Sequence, residues 1–300
     1  MKASISLSTP PAVGERALAS LLAELVKARL TGMVLLSTLV GFYAGSVGRV
    51  DVVGLFHCLL GTGLLASGAS ALNQFLERDL DALMARTSDR PLPSGRLQPA
   101  TVLVLGGVWA ALGLLYLALL VSLLVAMLGA ITLSLYLFAY TPLKRLSPVN
   151  TVVGAIPGAL PPLMGWAAAH GAVTVGGWSL FALQFFWQLP HFLAIAWLYR
   201  EEYARAGFRM LAVVDPTGER VALQSVSHTL GLVAVSLSPF VFGIAGVVYL
   251  GGVVAAGGLF LWCALRFART LSRERARWLF LASIVYLPLV LGLIVWDKVR

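Results

Sequence analysis

NQFLERDLDALMARTSDRPLPSG, residues 73–95, is the densest run of ionisable side chains in a chain that elsewhere reads as lipid-soluble. It closes one long apolar stretch and precedes another, and the same punctuation recurs along the sequence. Of the 300 residues 59% are hydrophobic and only 12% charged, about half the charge of a soluble domain; mean hydropathy is +0.88. One globular core does not absorb that much apolar surface, whereas a series of membrane-spanning helices does. A transmembrane β-barrel would show alternating segments of roughly ten residues, and none is present.

The expected fold is therefore all-α: a polytopic membrane protein of about nine transmembrane helices. The spans are read at 28–47, 52–74, 100–118, 120–140, 150–169, 174–198, 221–248, 250–268 and 278–296. A polar N-terminal segment, residues 1–26, precedes a single membrane domain, 27–300. The opening MKASISLSTPPAVGE lacks an early apolar region with a cleavage site, so no signal peptide is expected, and Ala17–Arg29 reads as an interfacial helix. Span two runs into Glu77 and Asp81, and span six runs into Glu201 and Glu202 about 120 residues later. This echo suggests two four-helix halves plus a ninth helix, with a central cavity between the halves.

Polar loops at 75–99, 141–149, 199–220 and 269–277 follow spans two, four, six and eight, so they share one side with the N-terminus. That side carries 19 of the 22 Lys and Arg; only Arg49, Lys298 and Arg300 fall on the other. The positive-inside rule makes the loops, the N-terminus and the cavity cytoplasmic, in a cell or inner membrane, with the C-terminus outside. The same distribution accounts for the net charge of +9 without nucleic acid. Cys58 and Cys263 lie within apolar runs and read as packing residues, and GTGLLASG in span two reads as close helix packing.

Asn73, Glu77 and Asp81 are four residues apart, so on a helix their oxygens share one broad face. Magnesium takes oxygen ligands, commonly one or two carboxylates completed by phosphate and water, and this triplet supplies such a partial shell. Asp79 lies off that face. A solvated helix end balanced by Arg78 and Arg86 is the plain alternative, but the triplet begins at the membrane boundary, where unpaired charge is expensive. Arg86, Arg90, Lys144 and Arg145 are candidate phosphate clamps. Pro190 should kink span six and turn a freed carbonyl toward the cavity, with His191 beside it. Aromatic residues near these positions, Tyr140 and Trp187 among them, read either as packing or as a dry wall that stabilises a carbocation.

Five ordered motifs carry a resemblance: N-x-x-x-E-x-D-x-D-x-x-M-x-R-T from Asn73 to Thr87, R-P-L from Arg90, YTPLKRLSPVNTVVGAIPGALPPLMGW from Tyr140 to Trp166, WQLPHF from Trp187 to Phe192, and EEYARAGFRMLAVV from Glu201 to Val214. Together they resemble the UbiA-type intramembrane polyprenyltransferases, and within that superfamily the branch that farnesylates haem. The resemblance implies farnesyl diphosphate and haem B as substrates, Mg²⁺ as cofactor, and a haem A synthase as a nearby partner. It implies that Asn73, Glu77, Asp81 and Glu202 hold the metal, with Lys144 in the catalytic set. Arg86, Arg90, Arg145, Tyr140, Trp187 and His191 would contact substrates; ligation of the iron by His191 is left open. Two departures stand out. Ala206 occupies the place of the second acidic residue in the later motif, which argues against a symmetric two-metal site. Arg209 replaces a proline.

Two other functions share part of this pattern. A relative acting on an aromatic acid or quinone precursor would use the same metal site. A transporter would carry its charge deep in the spans, whereas here it gathers at their ends.

Overall fold

The computed structural model describes residues 15–299. The first fourteen residues, where the expectation about a signal peptide falls, and Arg300 lie outside the described residues. Fourteen α-helices form the described chain: α1 (Glu15–Leu25), α2 (Ala28–Gly45), α3 (Val52–Asp81), α4 (Pro99–Leu120), α5 (Leu123–Ser134), α6 (Thr141–Leu146), α7 (Asn150–His170), α8 (Val175–Leu198), α9 (Arg200–Arg205), α10 (Leu211–Val214), α11 (Glu219–Val235), α12 (Ser238–Val241), α13 (Val247–Thr270) and α14 (Arg273–Trp296). A π-helical turn, Leu135–Tyr140, joins α5 to α6 into one span. Among the described residues, nine helical spans are long and apolar enough to cross a membrane, as expected.

Each span packs on the next, α13 on α14, and α14 returns to α2, which closes the bundle. The closest approach across it joins α2 to α7, the first helix of each expected half. Glycine permits that approach: a Cβ at Gly41 would meet the Pro162 carbonyl. On the other flank a Cβ at Gly68 would stand 2.5 Å from the Ala110 backbone nitrogen of α4, so GTGLLASG serves close helix packing. Cys58 and Cys263 are buried and unbridged.

Several boundaries differ from expectation. Ser122 caps α5, its side chain accepting from the Val125 amide, and so separates spans three and four where the sequence offers no polar linker. The expected span 221–248 ends at Val241 in a turn around Gly243, and α13 begins at Val247. Helix α8 runs unbroken from Val175 to Leu198 with Pro190 inside it.

The boundary that matters most is the end of α3. This helix has 30 residues and is about 45 Å long, half as long again as the ~30 Å hydrocarbon core. Its last turns extend past the span as ordered helix. The opening sequence motif is thus the projecting end of α3 followed by a chain of turns, not a loop from residue 75 onward.

Candidate active site

One cavity of about 410 Å³ opens at the end of the bundle where α3 projects. Its lining runs along α3 from Ala66 to Asp81, about 22 Å of helix. Helices α2, α5 to α6 and α7 form the other walls, and Gln188, Phe192 and Ile195 of α8 complete the enclosure. The cavity is therefore lined from both halves, with the first contributing more, and Tyr203, Phe208 and Met210 beyond α8 also take part. Its deep part is mostly apolar, with Val34, Ala66, Ala69 and Pro161; the ionisable groups gather at the mouth.

The triplet on α3 is almost wholly buried: Asn73 is 1%, Glu77 4% and Asp81 1% exposed. Each member is held by a cation. Lys27 Nζ donates to Asn73 Oδ1 at 2.7 Å. Lys144 Nζ donates to both Glu77 oxygens, at 2.8 and 3.0 Å. Arg90 Nη1 donates to Asp81 Oδ2 at 2.6 Å. Asn73 Nδ2 donates onward to Glu77 Oε2 and to Thr141 Oγ1, both at 3.1 Å. Asp79, off the shared face, has an 85% exposed side chain and, among the described residues, forms an ion pair with Arg78 alone.

Local structure explains why these groups converge. Pro142 has no N–H to give, and the chain before it widens to a π-turn. The Thr141 amide bonds the Tyr136 carbonyl, five residues back. This turn sets Tyr136, Tyr140 and Lys144 on the cavity wall, with Lys144 Nζ 4.6 Å from the Tyr140 ring centre. At the other wall, Gln74 Nε2 donates to the Glu24 and Leu25 carbonyls and so ties the end of α1 to α3. Lys27 follows in a left-handed conformation, φ 49°, and its side chain reaches Asn73. Burial, and next the Arg90 charge, hold the Lys27 ammonium well below the ordinary lysine value, at about 7.

Four cations line the cavity, Lys27, Arg86, Arg90 and Lys144, against two carboxylates, Glu77 and Asp81. The site carries an excess of positive charge in a partly desolvated place, which favours an anionic ligand. An amide and two carboxylates one helical turn apart are hard oxygen donors suited to Mg²⁺ that arrives with phosphate. They do not form a preassembled cage, since internal cations bond the same oxygens. Among the described residues no group of three or more His, Cys, Asp or Glu is placed to hold a metal alone.

The remaining sequence-derived positions fall at varying distances from this centre. Arg86 lies at the mouth, its guanidinium over the rings of Tyr203 and Tyr199 at 4.5 and 5.0 Å. Glu202 is half-buried and accepts from the Arg86 backbone amide at 3.4 Å; it borders a separate surface recess with Glu201, Arg200 and Arg205. Arg145 is exposed and does not line the cavity. Trp187 and His191 do not line it either: both bond Ser283 of α14, because their side of α8 faces α14 while Gln188 and Ile195 face the cavity. Lys27 and Tyr203 line the cavity and were not singled out from the sequence; Tyr136, one of the aromatic residues read near these positions, lines it as well. Lys27 had been absorbed into the basic count on its side, and only its position directly before the first span hinted at more.

The family model for the UbiA prenyltransferase family matches residues 34–287. This chain belongs to the UbiA prenyltransferase family. It is a membrane-embedded prenyltransferase, and its helical bundle is the family's. The chain is 46% identical to the protoheme IX farnesyltransferase of Solibacter usitatus over 284 residues, 92% of this chain and 97% of that protein. It is 40% identical to the protoheme IX farnesyltransferase of Koribacter versatilis, covering 98% and 99% of the two chains. Among solved structures it resembles a digeranylgeranylglyceryl phosphate synthase, with TM-score 0.79, 15% identity and 93% and 98% coverage. It also resembles a UbiA homologue from Archaeoglobus fulgidus bound to GPP and Mg²⁺, with TM-score 0.64, 16% identity and 91% and 99% coverage.

Proposed function

We propose that this prenyltransferase moves a farnesyl group from farnesyl diphosphate to a vinyl group of haem B, with addition of water, giving haem O and diphosphate. The observation that carries the reading is the buried Asn73–Glu77–Asp81 wall, ringed by cations, at the mouth of an apolar cavity. The names of the relatives supply the acceptor and the prenyl length.

The diphosphate binds where Lys27, Arg86, Arg90 and Lys144 converge, and the prenyl chain extends into the apolar part of the cavity along α3. Asn73, Glu77 and Asp81 would hold Mg²⁺, which supplies charge neutralisation to the diphosphate when bound. Lys144 and Arg90 are close enough to the triplet to exchange a carboxylate for a phosphate oxygen. Negative charge grows on the leaving group as the allylic C–O bond breaks, and cations fixed beforehand stabilise that change most. The tyrosine rings Tyr136, Tyr140 and Tyr203 on the wall exclude water and face the developing allylic cation. Carbon–carbon bond formation to the vinyl group follows, and water completes the hydroxyethyl substituent.

The distribution of Lys and Arg favours a cytoplasmic position for the cavity mouth and an inner-membrane location. A haem A synthase that takes up the product is a fitting neighbour. The deciding experiment supplies purified protein with haem B, farnesyl diphosphate and Mg²⁺ and follows haem O by mass. Formation of haem O is the expected result. Turnover of 4-hydroxybenzoate with none of haem B would overturn the acceptor assignment.

A further inference from the structure

The surface recess beside the cavity mouth is built where the end of α8 meets the turn between α13 and α14. The buried Trp197 of α8 donates from Nε1 to the Leu271 carbonyl at 2.8 Å, which ties the two elements together. Its ring lines the recess with Leu198 and Leu271, and the Arg200 guanidinium lies 4.8 Å over that ring. Arg205 of α9 and Arg273, the first residue of α14, complete the basic lining. The recess holds about 220 Å³, the volume of roughly seven water molecules.

Three guanidiniums share this recess with two carboxylates, Glu201 and Glu202. Among the described residues none of the three forms an ion pair with either. One Glu202 oxygen accepts from the Arg86 backbone amide at 3.4 Å; the other is open. In the main cavity carboxylates and cations grip one another, whereas here they stand side by side unpaired. Such a lining suits a ligand that is at once an anion and a hydroxyl donor. Arginines take phosphate oxygens, and carboxylates accept from hydroxyls. A bare phosphate would instead meet the two carboxylates as like charges.

The level of the recess in the bundle narrows the ligand further. Helices α13 and α14 carry exposed tryptophans on either side of the Leu271 turn, Trp262 and Trp278, and Arg266 lies 5.5 Å over the Trp262 ring. Exposed tryptophan marks the membrane interface, and the exposed Leu259, Leu281 and Val285 lie farther along the same helices. The recess thus stands at headgroup level on the side with the basic loops, where anionic lipid is drawn to clustered arginine. We propose that it binds the headgroup of an anionic phospholipid, a phosphodiester carrying a hydroxylated group such as glycerol. Arg200, Arg205 and Arg273 hold the phosphate, and Glu201 and Glu202 accept from the hydroxyls. The site is distinct from the diphosphate site at the cavity mouth, and neither the metal nor the acceptor enters the argument.

The test measures lipid binding to the full-length protein in detergent by native mass spectrometry, with phosphatidylglycerol and, separately, zwitterionic phosphatidylcholine. Wild-type protein should prefer phosphatidylglycerol by about tenfold or more. A basic side chain at the headgroup level is worth about fivefold, so the triple variant Arg200→Gln, Arg205→Gln, Arg273→Gln should lose that preference. A control triple, Arg266→Gln, Arg269→Gln, Arg277→Gln, removes the same charge from neighbouring positions that do not line the recess. It should change phosphatidylglycerol binding by no more than about twofold. Arg273→Gln alone, at an exposed helix start, should cost about fivefold and decides the matter where the recess triple does not fold. Equal affinity of wild-type protein for the two lipids would overturn the proposal. Equal losses in the two triple variants would also overturn it, by showing a diffuse basic surface with no site. Displacement of phosphatidylglycerol by millimolar inorganic phosphate would assign the recess to a soluble anion and overturn the lipid assignment.

Discussion

The two acidic motifs of this chain occupy similar places in sequence and different places in space. Glu77 and Asp81 end a long helix, lie almost wholly out of solvent and are each gripped by a cation. Glu201 and Glu202 begin the short helix α9; Glu201 is exposed and Glu202 half-buried, with one long hydrogen bond from the Arg86 amide. Burial with pairing makes a charge consequential, because each partner left alone would be an uncompensated ion. Exposure makes it replaceable by water. The chain has one strong acidic wall and one weak one, in keeping with Ala206 at the place of a second acidic residue in the later motif.

The largest effect that would test this contrast is Glu77→Gln. It keeps the shape and removes the charge that holds Lys144 between two oxygens. Turnover should fall by about 10²–10³ as measured by haem O formation, with thermal unfolding in detergent run alongside to exclude loss of fold. Near-normal turnover would break the contrast at its stronger end. Next is Lys144→Met, which removes a cation from the proposed leaving-group site and should lower the rate by about 10² in the same assay. Glu202→Gln should cost less. A weakly held, partly exposed charge contributes about 1 kcal/mol or less, a factor of about five in initial rate. A loss as large as that of Glu77→Gln would restore the two motifs to equal standing, as the family resemblance alone suggests. Smallest of all is Arg145→Ala. Its exposed side chain lies off the cavity, so the Michaelis constant for farnesyl diphosphate should change by no more than about twofold.

The spans were legible because hydropathy depends on composition over some twenty residues, and so was the shared face of Asn73, Glu77 and Asp81, which depends only on helical spacing. The end of α3 was less legible. Residues 75–81 are rich in charge and were assigned to a loop, yet the helix continues because its partners are cations brought from elsewhere: Lys27 from before α2, Lys144 from α6 and Arg90 from the turns that follow. The π-turn before Pro142 likewise follows from local chemistry but shows its purpose only once Tyr136, Tyr140 and Lys144 share a wall.

The placement of His191 makes the same point from the other side. A proline next to it on the sequence suggested a cavity-facing group, whereas the rotation of α8 turns it toward Ser283 and Phe280 of a helix some ninety residues away.

By itself the sequence determined that this chain crosses the membrane as a bundle of helices, that its basic ends lie on one side, and that one helix carries three oxygen donors in a row. Those properties are sums or periodicities along a single segment. Only the tertiary structure decided which cations meet which donors, which helices line the cavity, and which face of α8 turns toward it. Such choices depend on how separate helices rotate and pack against one another, and no single segment encodes them.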